Sequence, residues 1–529
     1  MSSVDTLREV LLRSRRFGEA VAVRADEHER TYADLLDRAA RLARHLLDAG
    51  LVPGDRVAIM VEDGLRAVEP HLAANLAGLV VVPVNARVRE HELAHILTDC
   101  GAAALVHSSG VDDVVAGCAA AAPLVRVRTG GGRGEDVDAD YERVVTSGPA
   151  DPPDVEVAPD DLVMIGYTSG TTGAPKGAMM THRGGLAAMR ANLVAFRVVP
   201  HGAGAFSGSI SFTALMWAFV YPHLSVGASI DLLQPDLTFE RWFDRMERFG
   251  ATFTFVPTPY MAGFAEHAAA RPAAVARLAG VCHSASPATV EQRRAVVGAV
   301  GAAYVESYGA TETLAAVTAT TRVDADGSTG ADDPFSTIGR PLAPSDVVVV
   351  GEDGRLLPPG EVGEIVVESP ALFVGYWAKA EATAQALRDG RYHTGDLGHV
   401  DEQGFVYVDG RHADLVISGG MNVYPAEVER VLQGLDGVAD VAVVGVPHER
   451  WGESVCAVVV REPGSALSED EVVAHAVAHL ASYKKPTRVV FVEALPRNAN
   501  LKVQKSVLRA DLGLARPAGG PSRDGATRL

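Results

Sequence analysis

Cysteine is scarce: four in 529 residues, Cys100, Cys118, Cys282 and Cys456, with no Cys-x-x-Cys pair among them. That spacing fits a reducing cytosol better than a disulfide framework. Basic side chains are also in short supply, 48 Lys and Arg against 67 Asp and Glu, for a formal net charge of −19. A nucleic-acid or anionic-membrane partner needs a basic face, so neither is expected. No stretch approaches the roughly eighteen apolar residues of a membrane span. The opening MSSVDTLREVLLRSRRFGEA lacks the apolar core of a secretory signal, and the expected location is the cytoplasm. The chain also lacks any Gly-Lys pair, and with it the common phosphate loop G-x-x-x-x-G-K-[ST].

What is present is an ordinary globular composition, 47% hydrophobic and 22% charged, over a length too great for one core. From residue 30 to about 110, helical and strand patterns alternate, as in an α/β sheet covered by helices. Thr31 can cap a helix with Leu35, Leu36, Leu42, Leu46 and Leu47 on its apolar face, ended by Gly50. Residues 56–61 and 79–84 read as buried strands. The Gly- and Asp-rich stretches 129–140 and 324–333 read as surface loops. Past residue 345 the pattern becomes strand, turn, strand, with Asp353-Gly354 as the turn and a further strand at 405–410. After Arg411 comes a fresh start: a helix at 425–435, strands at 438–446 and 454–460, and a helix at 469–481. That is a small α+β domain able to fold by itself. The expected division is residues 1–411, residues 412–516, and a polar Gly- and Pro-containing tail, 517–529, expected to be disordered.

The sharpest local signal is Tyr167-Thr-Ser-Gly-Thr-Thr-Gly-Ala-Pro-Lys-Gly177. It follows the apolar strand pattern of residues 162–167. Its glycines let main-chain N–H groups approach a ligand, Thr168, Ser169, Thr171 and Thr172 add short hydroxyls, and Lys176 adds a mobile cation; together these suit a polyphosphate. Two other patterns compete for attention. His91-Glu-Leu-Ala-His95 matches H-E-x-x-H letter for letter, but no third ligand pattern follows, and Leu93, Ile96 and Leu97 give it an ordinary buried helical stripe. His475 and His479, also four apart, have no carboxylate or cysteine company and are expected to face solvent. Neither pair is assigned a metal.

Further motifs follow in order: Glu306-Ser-Tyr-Gly-Ala-Thr-Glu-Thr313, Tyr392-His-Thr-Gly-Asp-Leu-Gly398, Gly410-Arg411, Ser418-Gly-Gly-Met-Asn-Val-Tyr-Pro-Ala-Glu-Val-Glu429, and Leu495-Pro-Arg-Asn-Ala-Asn-Leu-Lys502. Singly each is weak. The ordered set, from about residue 15 to about residue 512, resembles the adenylate-forming superfamily of acyl-CoA synthetases, carrier-protein adenylation domains and luciferases. The resemblance implies a large multi-subdomain α/β N-terminal domain and a small mobile α+β C-terminal domain. It also implies ATP-dependent activation of a carboxylic acid as acyl-AMP with release of pyrophosphate, then transfer to the thiol of coenzyme A. A carrier protein or a nitrogen nucleophile is the alternative acceptor.

The resemblance also implies residue roles. Thr168, Ser169, Gly170, Thr171, Thr172 and Lys176 would hold the β- and γ-phosphates. Glu312, with Ser169, would ligate Mg²⁺. Tyr308 would lie against adenine, with Gly309 and Thr311 beside the nucleotide. Asp396 would accept from the ribose hydroxyls and Arg411 would contact ribose or phosphate. Lys502 would neutralise the substrate carboxylate and the α-phosphate, making Thr168, Glu312 and Lys502 the expected catalytic groups. The small domain would then swing about a hinge just after Arg411, so that Gly419 and Gly420 border a thin thiol tunnel. Ala413 stands where the family commonly has Asp or Lys, and Leu501 where many members have Gly, so the thiol-transfer half is less firmly implied. The acyl pocket is expected from Ser211, Phe212, Met216, Trp217, Ser284, Ser286 and Thr313. That apolar lining with small hydroxyls suits a medium-chain, alicyclic or aromatic acid.

Overall fold

Thr31 does cap the first long helix, Tyr32–Asp48, its hydroxyl accepting from the Asp34 N–H. The leucines at positions 35, 36, 42 and 46 are buried beneath it. The computed structural model describes residues 4–62, 64–130, 139–168, 175–207, 215–233, 238–314, 316–321, 335–418, 421–448, 450–497 and 503–511. The chain divides into two compact units. One is Met1–Val348 with Val366–His393 and Asp401–Val406; the other is Val349–Ile365 with Thr394–Val400 and Tyr407–Leu529.

The first unit carries two sheets. One has seven strands, in the order Gly375–Tyr376, Lys176–Thr181, Leu162–Thr168, Val80–Pro83, Arg56–Met60, Ala104–Ser108, Val125–Thr129. The last five are mutually parallel, and the first two join antiparallel at one edge. Residues such as Val57, Ala58, Val80, Val82 and Ile165 are fully or nearly fully buried, which explains the unbroken apolar runs read in sequence. The other sheet has nine strands, with a parallel centre of Tyr304–Tyr308, Gly280–His283, Phe253–Phe255, Ala203–Ser207, Ser229–Leu233 and Val21–Ala25. Its core gathers Trp242, Phe243, Met246, Phe264, Val281 and Tyr304. Phe206, Phe219, Phe253 and Phe255 add a chain of ring contacts to this packing.

The second unit contains the small α+β fold expected after Arg411. Strand Val438–His448 pairs antiparallel with Gly452–Arg461, which also pairs parallel with Arg488–Val492. Helices Pro425–Gln433 and Glu469–His479 cover one face through Val428, Leu432, Val472 and Ala476, and helix Lys505–Asp511 contributes Leu508 to a smaller apolar cluster. Segments 349–365 and 394–400, placed before the boundary in sequence, group with this unit. The turn at Asp353-Gly354 forms, with Gly354 at φ +76, a value that glycine adopts without strain. The stretches 131–138 and 322–334 and the tail lie outside the described residues. All four cysteines are free and buried. Among the described residues no helix is long and apolar enough to cross a membrane.

Candidate active site

The loop singled out in sequence joins two antiparallel strands, Leu162–Thr168 and Lys176–Thr181, with Thr168 opposite Lys176 and Tyr167 opposite Gly177. A Cβ at position 177 would lie 2.6 Å from Ile165 Cγ2 and 3.2 Å from the Tyr167 ring, so the close strand approach demands glycine there. Ser169, Gly170, Thr171 and Thr172 lie outside the described residues; the base of the hairpin does not. The Tyr167 hydroxyl donates to Asp99 Oδ2 at 2.8 Å, and Lys379 Nζ donates to Asp99 Oδ1 at 2.7 Å. Burial raises the Asp99 carboxyl, but the Lys379 and Tyr167 hydrogen bonds outweigh it and hold the group below the usual range. On the other strand, the Pro175 carbonyl oxygen lies 3.0 Å from His95 Nε2.

Glu312 sits on a single turn of 3₁₀ helix, Thr311–Thr313, just past strand Tyr304–Tyr308. The Thr313 hydroxyl accepts from the Ala310 N–H at 3.0 Å and ties the turn to its own start. Glu312 is buried, and its Oε1 accepts from the Tyr376 hydroxyl at 2.7 Å. Tyr376 belongs to the two-residue strand beside Lys176–Thr181, opposite Ala178, and Lys176 Nζ stands 5.4 Å from its ring centroid. Burial and the Glu312 carboxylate both push the Tyr376 phenol upward, so it stays protonated and donates. Thr168, Lys176, Tyr376, Glu312 and Thr313 are thereby brought into one neighbourhood by two different chain segments and a sheet edge. A buried, steadied carboxylate beside a lysine fits magnesium that arrives with a polyphosphate, since that ion takes few protein oxygens and keeps phosphate and water. Among the described residues no group of three or more His, Cys, Asp and Glu side chains could cage a metal.

Tyr308, Gly309 and Thr311 are half-buried at the carboxyl end of the same strand. Next to them, the Ser284 hydroxyl donates to the Ser307 carbonyl at 2.9 Å, and Ser286 lies 2.6 Å from Thr258 Oγ1. Met216 and Trp217 are buried on the turn Leu215–Val220; the Trp217 ring packs edge-on to Tyr221 at 4.8 Å, and a Cβ on Gly185 would approach it to 2.4 Å. Ser211 and Phe212 lie outside the described residues.

In the second unit, Arg411 Nε pairs with Asp396 Oδ1 at 2.9 Å, with the Asp396 side chain mostly buried and that of Arg411 half-exposed. Thr394 holds the approach, accepting from the Asp396 N–H at 3.0 Å and donating to the Ile365 carbonyl at 2.7 Å. Gly419, Gly420, Leu501 and Lys502 lie outside the described residues, and so does the side chain of Ala413.

The H-E-x-x-H match is a helix start. Within helix Glu90–Cys100, Glu92 accepts from the Arg89 N–H at 2.8 Å as a capping carboxylate, His91 is exposed, and Leu93, Ile96, Leu97 and Cys100 form the buried stripe. His475 corrects an expectation: it is half-buried, with Nε2 3.1 Å from the Val431 carbonyl oxygen, while His479 is exposed. Its position on the helix face toward helix Pro425–Gln433 accounts for the difference. Two groups escape sequence reading altogether. Tyr376 carries no local sequence signal; its edge-strand pairing opposite Ala178 is what brings it to Glu312. Asp99 and Lys379 are 280 positions apart, and only the fold makes them neighbours.

Residues 12–377 match the family of AMP-binding enzymes, and residues 427–502 match the AMP-binding enzyme C-terminal domain. The chain is 37% identical over 503 residues to a feruloyl-CoA synthase of Amycolatopsis sp, covering 95% of this chain and 98% of that one. It is 33% identical to the fatty acid–[acyl-carrier-protein] ligase ScoC of Streptomyces coeruleorubidus, covering 92% of each. The solved structure of ATP-bound MatB from Rhodopseudomonas palustris superposes with a TM-score of 0.85 at 31% identity, covering 95% of this chain and 98% of that one. With more than half its length matched, the chain belongs to the adenylate-forming superfamily of AMP-binding enzymes.

Proposed function

We propose that the Thr168, Lys176, Tyr376 and Glu312 neighbourhood is the triphosphate and magnesium end of an acid-activating site. The protein is an AMP-forming acid–thiol ligase: with ATP it converts a carboxylic acid to acyl-AMP, releases pyrophosphate, and passes the acyl group to the thiol of coenzyme A. The observation that carries the residue assignment is the Tyr376 to Glu312 hydrogen bond beneath Lys176. It supports the reading because it brings a buried carboxylate and a lysine to one tyrosine ring, and such a pair suits magnesium and phosphate where charge develops as pyrophosphate leaves. In this reading Ser169, Gly170, Thr171 and Thr172 line the phosphates, and Tyr308, Gly309 and Thr311 border the adenine. Asp396 and Arg411 serve the ribose, Lys502 bridges the reacting carboxylate and α-phosphate, and Gly419 and Gly420 leave room for the pantetheine thiol. The acid is aromatic, alicyclic or of medium chain length, and the enzyme works in the cytoplasm.

The test is ATP–pyrophosphate exchange across a panel of carboxylic acids, which reports activation whatever the acceptor. Exchange with none of them would overturn the assignment. The similarity to a carrier-protein ligase favours one second reading, delivery to a protein-bound thiol. Thioester yield with free coenzyme A against a loaded carrier protein separates the two.

A further inference from the structure

Lys502, assigned above to the reacting carboxylate and the α-phosphate, lies outside the described residues, but both stems of its loop are described. Arg497 and Val503 form an antiparallel bridge, and the Gln504 N–H donates to the Pro496 carbonyl at 2.8 Å. Residues 498–502 are therefore closed at a fixed base, and the Cα of Lys502 can be only about 3.8 Å from that of Val503. Whatever holds Val503 and the residues after it sets the point from which this lysine reaches out.

The base rests on strand Val438–His448, at one edge of the small sheet. Leu495 and Leu508 share an apolar cluster with Ala442, Val444 and Val446 of that strand, and Val503 packs against it. Apolar packing has no direction of its own. Direction comes from two ion pairs: Lys505 Nζ, at the start of helix Lys505–Asp511, lies 2.7 Å from Glu429 Oε1, and Arg497 lies 2.5 Å from Asp440 Oδ2. The pairs are unequal. The Lys505 and Glu429 side chains are 17% and 23% exposed, those of Arg497 and Asp440 39% and 33%, so water screens the second pair more. Glu429 is also fixed independently of the lysine. It belongs to helix Pro425–Gln433, and the same Oε1 accepts from the Val443 N–H of the edge strand at 2.7 Å. One turn beyond Lys505, Arg509 pairs with Asp414 at 3.4 Å, so the short helix meets a carboxylate near each end.

We infer that Glu429 and Lys505 are a positioning pair for Lys502, a reading that rests on the Lys502 role proposed above. Their contact orients the base of the lysine loop, so acid activation depends on it. Thiol transfer, in which Lys502 has no part under that reading, does not.

Pyrophosphate exchange and thioester release from supplied acyl-AMP, measured side by side, test it. Glu429→Gln keeps an acceptor for the Val443 N–H and removes the charge; Lys505→Met keeps the helix and removes the cation. Each should lower kcat for exchange by about tenfold or more, since a displacement of about 1 Å at a reacting group can cost about a hundredfold, while KM for ATP and thioester release stay within about twofold of wild type. The double variant should be no worse than either single one, because the same contact is lost in all three. Lys505→Arg can still pair with Glu429 and should keep exchange within about twofold, and Asp440→Asn, at the more exposed pair, should cost about threefold at most. Wild-type exchange in both Glu429→Gln and Lys505→Met, equal loss of the two steps, or additive losses in the double variant overturns the inference while leaving the ligase reading intact. Unimpaired exchange in Lys502→Ala overturns the Lys502 role and this inference with it, whereas wild-type enzyme that exchanges with no acid overturns the ligase reading itself.

Discussion

Replacing Tyr376 by Phe removes one hydroxyl and nothing else that the structure uses. The ring keeps its edge contact with Phe373 at 4.8 Å and its place beneath Lys176. What disappears is the 2.7 Å hydrogen bond to a carboxylate that is 7% exposed. A hydrogen bond to a charged group is worth about 1.5–3 kcal/mol, so full expression of the loss in the activation step would cost about tenfold to 150-fold in rate. Because Glu312 is the group assigned to magnesium, the loss should be read in the metal dependence. The concentration of free Mg²⁺ that half-saturates pyrophosphate exchange, measured at saturating ATP, should rise by about tenfold or more. Release of thioester from supplied acyl-AMP, in which no pyrophosphate leaves, should change little. A Tyr376→Phe enzyme with wild-type rate and magnesium dependence would refute the assignment of Glu312 as the steadied ligand.

Other substitutions probe the remaining roles. Lys502→Ala should lower exchange by about two decades or more, the usual scale for a charge meeting developing negative charge, while thioester release from supplied acyl-AMP persists; equal loss in both steps would sink the role. His91→Ala should leave exchange unchanged and the purified protein without stoichiometric zinc. His95→Ala loses its contact with the Pro175 carbonyl and should cost about fivefold, from roughly 1 kcal/mol of hydrogen bonding; zinc lost together with activity in either variant would restore the metal reading. Gly420→Leu should stop thioester formation with coenzyme A while exchange continues, and intact thioester yield would remove the tunnel from that position.

Sequence patterns foretold the parts of this molecule that local physics dictates. The Thr31 cap, the apolar strands at 56–60 and 80–83, the stripe of Leu93, Ile96 and Leu97, and the helix Pro425–Gln433 and strand Val438–His448 all follow from hydrophobic period and capping chemistry. The α/β class was legible for the same reason. Long-range pairing was not. Nothing near Gly375-Tyr376 in sequence indicates that it forms an edge strand against residues 178 and 179 and delivers a phenol to Glu312. His475 was misjudged because the helical period there is weak, with alanines on several faces, so its contact with Val431 becomes visible only once the two helices are packed. The His283 to Glu306 contact needs two strands in register, and one sequence carries no record of which strands are neighbours.

Asp99, on helix Glu90–Cys100, ties the base of the 162–181 hairpin at Tyr167 to Lys379, and its charge makes that fastening testable by pH. Its side chain is 11% exposed and that of Lys379 is 39% exposed, so the pair is neither deeply buried nor fully screened. Asn at this position can still accept from the Tyr167 hydroxyl but offers Lys379 no charge. The Asp99 carboxyl is held below its ordinary value, so the stability it lends is complete above the unfolded aspartate range, about pH 4, and disappears as pH falls through the folded value. The melting-temperature gap between wild type and Asp99→Asn should therefore be constant from neutrality down to about pH 5 and close below about pH 3. Tyr167 directly precedes Thr168, so the same variant should raise KM for ATP by about fivefold, the share of roughly 1 kcal/mol of lost anchoring, with kcat little changed. A gap that stays constant into acid would show that Lys379 does not hold Asp99 as a charge, and an unaltered KM for ATP would show that the base of the hairpin is not what positions the phosphates.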